Sequence, residues 1–236
     1  MNIGIYARGL SIREGGVQVY IRSMTQSIIR HLDACDHVYI FHSLGDRIFH
    51  DPNERVSEII LKAQNILIAD YFEAPQRINA LPLDVMWFPK NVIPFFVQHK
   101  TIVTFHDLGY LLWRRDIYPF LNSIYMRFMM QYAAHRANRI ITVSENTQRD
   151  TVKHFGTDKT RISVIPEAVD NKFGERLSED NLKCVQEKYT LPEKFLLLTG
   201  GLNSRKNIGR LVRAFKKISQ TIPDIHLVIT GEKEWK

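Results

Sequence analysis

Short runs of contiguous apolar residues recur along this chain, separated by stretches where apolar side chains return every three or four positions. The contiguous runs predict strands at residues 2–7, 37–41, 65–69, 84–88, 100–105, 139–143 and 161–165. The helical spacing predicts helices at 17–32, in the second half of 52–63, at 120–138 and at 145–154. In the first of these Val17, Tyr20, Ile21, Met24, Ile28 and Leu32 share one stripe. Ser144 stands as an N-cap before the last. Strands that are apolar throughout, rather than alternating, predict a parallel sheet with helices on both faces. Ligands of such sheets bind beyond the carboxyl ends of the strands.

The pattern changes after residue 170. Residues 171–191 are rich in Lys, Glu, Asp and Asn and hold one short helical stretch at 182–189. Order resumes at Pro192 with a strand at 194–199, a helix over 208–218 and a strand at 225–230, which make one βαβ unit. The expected organisation is a domain at 1–172, an interdomain linker at 173–191 and the start of a second domain at 192–236. One βαβ unit cannot cover a sheet on both faces by itself. It leans on the first domain, continues beyond this sequence, or is completed by a partner chain.

Composition narrows the class. Of 236 residues, 44% are hydrophobic and 24% charged, which suits an ordered globular chain. The net charge of +7 suits phosphorylated ligands, an anionic membrane surface or nucleic acid. No block of five Lys/Arg residues occurs, so nucleic acid has little support. Cys35 and Cys184 are the only cysteines, a usage that points to a reduced, cytoplasmic protein without a zinc site. No apolar run reaches the length of a membrane span, and the N-terminus does not read as a signal peptide.

Three stretches carry candidate chemistry. In Thr199-Gly200-Gly201-Leu202-Asn203-Ser204-Arg205-Lys206-Asn207, a strand passes through glycines and two cations into a helix. That arrangement is either a phosphate cradle or a tight turn with solvated cations. Gly15-Gly16 opens the first helix without the G-x-G-x-x-G spacing, so NAD binding has weak support. The glycines either admit a ligand or merely turn the chain. His106 ends the strand at 100–105 with Asp107 beside it, placed to meet a hydroxyl, to move a proton or simply to cap the strand. Further along, Trp113, Arg114, Arg115, Arg127, Arg136 and Arg139 interleave with aromatics. They read either as solvated arginines on a buried helix or as a basic amphipathic surface for an anionic membrane.

Six stretches in order resemble the retaining glycosyltransferases of family 4, bacterial mannosyl- and related sugar transferases in particular. They are Gly15-Gly16; Thr104-Phe105-His106-Asp107-Leu108; Ile141 to Thr147; Ile162 to Asp170; Gly200-Gly201-Leu202 with Arg205-Lys206-Asn207; and Leu227 to Gly231. The resemblance implies a GT-B α/β fold: a Rossmann-like parallel-sheet domain followed by the first βαβ unit of a second. It implies a nucleotide-sugar donor, a glycan or lipid-linked acceptor, retention of configuration and no metal or other cofactor. It places His106 against the transferred sugar and Arg205, Lys206, Gly15 and Gly16 at the donor diphosphate. Asp107, Ser144 and Glu145 fall on the acceptor side of the cleft. Gly201 stands where many relatives carry arginine, and Ala168 where glycine is usual. The family's paired glutamates fall beyond Gly231 and outside these 236 residues. The readings open at this point are a transferase, a non-catalytic acceptor-binding half that needs a partner for the donor site, and a related sugar-nucleotide epimerase.

Overall fold

The computed structural model describes residues 1–10, 15–63, 65–112, 120–202 and 206–231. The chain forms two compact units, Met1–Glu167 and Ala168–Lys236. Residues 173–191, expected as a linker, contain helix α7 (Glu179–Tyr189) and belong to the second unit.

Seven parallel strands build the first unit: β1 (Asn2–Tyr6), β2 (His37–His42), β3 (Val56–Ile60), β4 (Val85–Phe88), β5 (Thr101–Phe105), β6 (Arg139–Thr142) and β7 (Ile162–Val164). Their order across the sheet is β3-β2-β1-β4-β5-β6-β7. The chain therefore winds outward from β1 to β3, returns to the other side of β1 and winds the opposite way. Between β1 and β4 the direction reverses, and the crevice beyond their carboxyl ends is where doubly wound sheets take ligands.

Both faces of the sheet are buried, which is why the strands read as unbroken apolar runs. Ile5, Ile40 and Trp87 point to one face, where α1 (Gly16–Arg30) packs through Ile21 and Ile29. Tyr6, Phe41, Met86, Phe88, Val103 and Phe105 point to the other and meet Met130, Ala133 and Ala134 of α5 (Phe120–Arg136). Each fully buried side chain of this size contributes about 1.5–3 kcal/mol. Helix α6 (Glu145–Phe155) begins at Ser144, whose hydroxyl accepts the Thr147 N–H, as its N-cap spacing predicts. Gly156 ends it in the left-handed conformation (φ 64°).

The structure corrects the reading of residues 52–69. The third strand is β3, not 65–69, and the helical stretch expected within 52–63 is absent. Glu58 misled the pattern, because a charged residue marks an outward position on a helix. Here its carboxylate is buried, accepting from the backbone N–H groups of Ile48 and Phe49 and bonding His42 Nε2 at 2.8 Å. The apolar run after Asn65 is helical: α2 (Ile66–Ile68), a π-helical turn (Ala69–Glu73) and α3 (Ala74–Asn79). Asn65 Oδ1 starts that helix by accepting the Leu67 N–H at 2.9 Å.

A second correction concerns α5. Its predicted apolar stripe is buried only in the second half. Leu121, Ile124 and Phe128 are exposed, Leu121 by 79%. Arg136, expected in solvent, donates to the carbonyls of Val97 and His99.

In the second unit, β8 (Phe195–Thr199) and β9 (His226–Thr230) form a parallel pair joined by α8 (Ile208–Thr221). Leu196, Leu197, Val212 and Ile218 remain exposed there. Cys35 and Cys184 are both exposed and unpaired.

Candidate functional site

His106 is the first residue beyond β5, and four segments of the first unit converge on it. Its Nε2 lies 2.8 Å from the carbonyl oxygen of Pro89, just past β4. Its Nδ1 lies 3.0 Å from Glu167 Oε1, three residues past β7. Tyr20, one turn into α1, sets its ring perpendicular to the imidazole at 4.7 Å between centroids. The backbone is braced as well. Asn91 accepts the His106 N–H and donates to the Asp107 carbonyl, and Thr147 Oγ1 donates to the His106 carbonyl. Asn91 is buried with φ 37°, a left-handed conformation that asparagine tolerates better than most residues.

In this arrangement both ring nitrogens are turned to protein oxygens, the Pro89 carbonyl and the Glu167 carboxylate. What the site offers is a fixed ring edge and fixed polar atoms. Tyr20 is held in turn by Thr104, whose hydroxyl lies 3.5 Å from the phenol and accepts the Trp87 indole N–H at 3.0 Å. Burial pushes the Tyr20 phenol up. The hydrogen bond to Thr104 opposes that shift, and the charge of Glu167 adds to it.

The remaining predicted residues separate in role. Asp107 accepts the Gly109 N–H at 2.8 Å and so starts helix α4 (Gly109–Leu112). Ser144 reaches the site through Thr147, which it caps. Glu145 is exposed in the first turn of α6. Gly15 is the N-cap of α1 with an extended backbone (φ −128°) that any residue can adopt. A Cβ on Gly16 would meet nothing within 4 Å. A Cβ on Gly15 would meet the Gln18 side-chain oxygen at 2.8 Å, so of the two only Gly16 faces open space among the described residues.

In the second unit the strand ends press together. Gly200 (φ 121°) donates its N–H to the Thr230 carbonyl at 3.0 Å. Gly231 (φ 144°) lies so close that a Cβ there would overlap the Gly200 carbonyl oxygen and stand 2.6 Å from its carbon. Lys206 folds back over this turn, with Nζ 3.7 Å from where a Cβ of Gly200 would be. Arg205 lies outside the described residues.

A buried polar cluster that the sequence pattern did not show occupies the carboxyl end of β1, at the reversal of strand order. Asp70 Oδ1 accepts from Tyr6 Oη at 2.6 Å and from Arg8 at 2.5 Å. Burial holds the Tyr6 phenol well above its ordinary range, with the Asp70 charge adding to it. Nearby, Tyr125 bonds Tyr71, and burial first, then that bond, pushes its phenol up. Among the described residues no group of three His, Cys, Asp or Glu side chains is placed to hold a metal ion.

A doubly wound parallel sheet with a braced histidine at its carboxyl edge, followed by a second β–loop–α–β unit with a lysine over a glycine turn, defines a GT-B-type α/β protein. The model of the family "Glycosyltransferase Family 4" matches residues 14–173, and the chain belongs to that family. It is 24% identical over 216 residues to the serotype-specific mannosyltransferase WbdA of Escherichia coli, covering 86% of this chain and 25% of the relative. It is 28% identical over 112 residues to the N-acetylgalactosamine-N,N'-diacetylbacillosaminyl-diphospho-undecaprenol 4-alpha-N-acetylgalactosaminyltransferase of Campylobacter jejuni, covering 47% and 28%. Anabaena Alr3699/HepE, solved with UDP and glucose, superposes with a TM-score of 0.67 at 13% identity, covering 99% of this chain and 61% of that one. WaaG, a glycosyltransferase involved in lipopolysaccharide biosynthesis, superposes at 0.63 and 16% identity, covering 98% and 64%. These two likenesses speak for the fold. The chain spans about a quarter of the length of the curated relatives named here.

Proposed function

We propose that this chain carries the acceptor side and the start of the donor side of a retaining glycosyltransferase, one that moves a sugar from a nucleotide-sugar to a glycan or lipid-linked acceptor. The observation that carries the reading is the convergence of α1, β4, β5 and the segment after β7 on His106, beyond the carboxyl ends of the strands. Tyr20 and His106 supply a rigid wall for a sugar, and Gly16 leaves room at the start of the same helix. Lys206, over the Gly200 turn and close before α8, supplies a cation for a diphosphate, with Arg205 as its neighbour in sequence. A departing nucleoside diphosphate gathers negative charge, and a fixed cation near a helix N-terminus stabilises that charge as it develops. Relatives named as mannosyltransferases and a neighbour solved with UDP support nucleotide-sugars as the donor class.

The same reading places the protein on the cytoplasmic face of a membrane as a peripheral protein. Phe96 and Phe128 are exposed beside the ring of Phe95, which also meets Tyr71 and Tyr132, and Phe72, Leu121 and Ile124 are exposed on the same helical segments as Tyr71 and Phe128. The acidic groups on these segments are turned inward. Asp70 pairs with Arg8, and Glu73 accepts the N–H groups of Lys62 and Ala63. Exposed Arg127 lies within the patch-bearing helix. An apolar surface with a cation and, among the described residues, no outward acid suits an anionic lipid face. Among the described residues no helix is long and apolar enough to cross a membrane.

The test is product analysis with UDP-glucose and GDP-mannose, water serving as the default acceptor. Release of free sugar with its starting anomeric configuration, seen by NMR, supports retaining transfer. An epimerised nucleotide-sugar would assign the chain to epimerase chemistry instead. No turnover, together with a co-purifying second polypeptide whose addition restores it, would favour the split-enzyme alternative.

A further inference from the structure

We infer that Glu167 is the positioning residue of His106, a role that rests on the reading of His106 as a wall of the sugar site. The imidazole is nearly enclosed, 12% exposed, whereas the Glu167 side chain is 51% exposed. Two acceptors face the ring, Pro89 O at Nε2 and Glu167 Oε1 at Nδ1. Tyr20 closes one side of the ring edge-on. A half-turn of the ring about its Cβ–Cγ bond would put C–H groups where both nitrogens now stand and lose both hydrogen bonds. Pro89 fixes one nitrogen from the backbone. The second fixed point is a side chain from a different strand end, and it adds to Pro89 in holding the ring in the orientation that pairs both nitrogens.

Glu167 is also the last residue of the first unit, with the second unit beginning at Ala168. The Ile165 N–H is anchored to the Thr142 carbonyl at 2.9 Å, two residues before the carboxylate. The orientation of the His106 ring therefore depends on the course of residues 165–167 at the exit from the sheet. A change in that exit turn reaches the ring without any change in β5. Positioning at a reactive site requires such support, because a group loose by about 1 Å loses most of its effect.

The experiment uses the whole 236-residue chain and the variants Glu167→Ala, Glu167→Gln and His106→Ala. Imidazole 1H–15N correlations and His106–Tyr20 cross-peaks report the ring without any ligand. Titrations with UDP and UDP-glucose report how much the sugar adds to affinity. In Glu167→Ala the cross-peaks should weaken and the ring signals broaden while the sheet amides keep their shifts. Glu167→Gln, whose carboxamide can accept from or donate to Nδ1, should restore the wild-type pattern. The affinity gained from the glucose moiety should fall about three- to tenfold in Glu167→Ala and in His106→Ala, with UDP affinity unchanged. Wild-type ring signals in Glu167→Ala, or a glutamine variant that behaves like alanine, would overturn the assignment. A released ring with the sugar increment intact in both alanine variants would instead keep Glu167 as the holder of His106 and remove His106 from the sugar site.

Discussion

Replacing Gly231 with alanine should disrupt the second unit locally and leave the first untouched. Gly231 has φ 144°, and an added Cβ would overlap the Gly200 carbonyl oxygen while standing 2.6 Å from the carbonyl carbon. Non-bonded carbon–oxygen contacts settle near 3.3–3.6 Å, so the two backbones must separate by roughly 1.5 Å or more. Ladder hydrogen bonds fail beyond about 3.2 Å, and the Gly200–Thr230 bond is 3.0 Å long. Backbone strain at such a φ contributes about 1–3 kcal/mol. One or two lost ladder bonds add about 0.5–1.5 kcal/mol each. The sum is roughly 1.5–6 kcal/mol, which corresponds to a loss of amide protection of about tenfold or more, up to the unprotected rate. Hydrogen exchange read residue by residue is the assay. Amides of β8 and β9 should lose protection, and those of β1 to β7 should not change. Gly200→Ala is the matched control, since among the described residues its Cβ would meet only Lys206, at 3.6 and 3.7 Å, leaving the strain without the backbone overlap. Wild-type protection of β8 and β9 in Gly231→Ala would refute the close approach of the two turns.

Other perturbations give equally direct readings. Asp70→Ala leaves Arg8 and Tyr6 without their shared carboxylate in a buried site, and chemical denaturation should show the first unit weakened by about 3–5 kcal/mol. The Arg55 guanidinium holds the Asp51 carboxyl at about 2. Because that value is depressed, the pair stabilises the fold above the unfolded carboxylate value of about 3.9 and loses the effect as pH falls to about 2. Arg55→Ala should therefore move the acid-unfolding midpoint upward, and an unchanged midpoint would count against the pair. Vesicles containing anionic lipid should bind the chain at low salt and release it as salt rises. Phe128→Glu should weaken that binding, and equal binding by wild type and variant would remove the proposed lipid face.

Much of this fold was legible because strands buried on both faces leave unbroken apolar runs, and six of the seven sheet strands were placed that way. The failure at 52–69 has a physical cause. Glu58 is a charge turned inward on an edge strand, and Leu67 with Ile68 are apolar residues turned outward on a short helix. Periodicity assumes the reverse in each case. The place of His106 was legible because it directly follows an unbroken apolar strand. Its partners Tyr20, Asn91 and Glu167 were not, since none is adjacent to it in sequence and each meets it only through the order of the sheet. Asp70 was hidden for the same reason. Its pairing with Tyr6 and Arg8 needs α2 and its π turn to lie over the end of β1, a place the pattern had given to a strand. Gly15 and Gly16 were recognised as a helix start, and the geometry adds that Gly15 is its N-cap with an extended backbone.

Calorimetric titration of the 236-residue chain with UDP, GDP and ADP, repeated on Lys206→Ala, tests the nucleotide-sugar site most directly. Saturable binding of at least one nucleotide, weakened by about 1–3 kcal/mol in the variant, is the expected result. Absence of binding to all three, or binding that Lys206→Ala leaves unchanged, would contradict the assignment of the Gly200–Lys206 turn to the donor diphosphate.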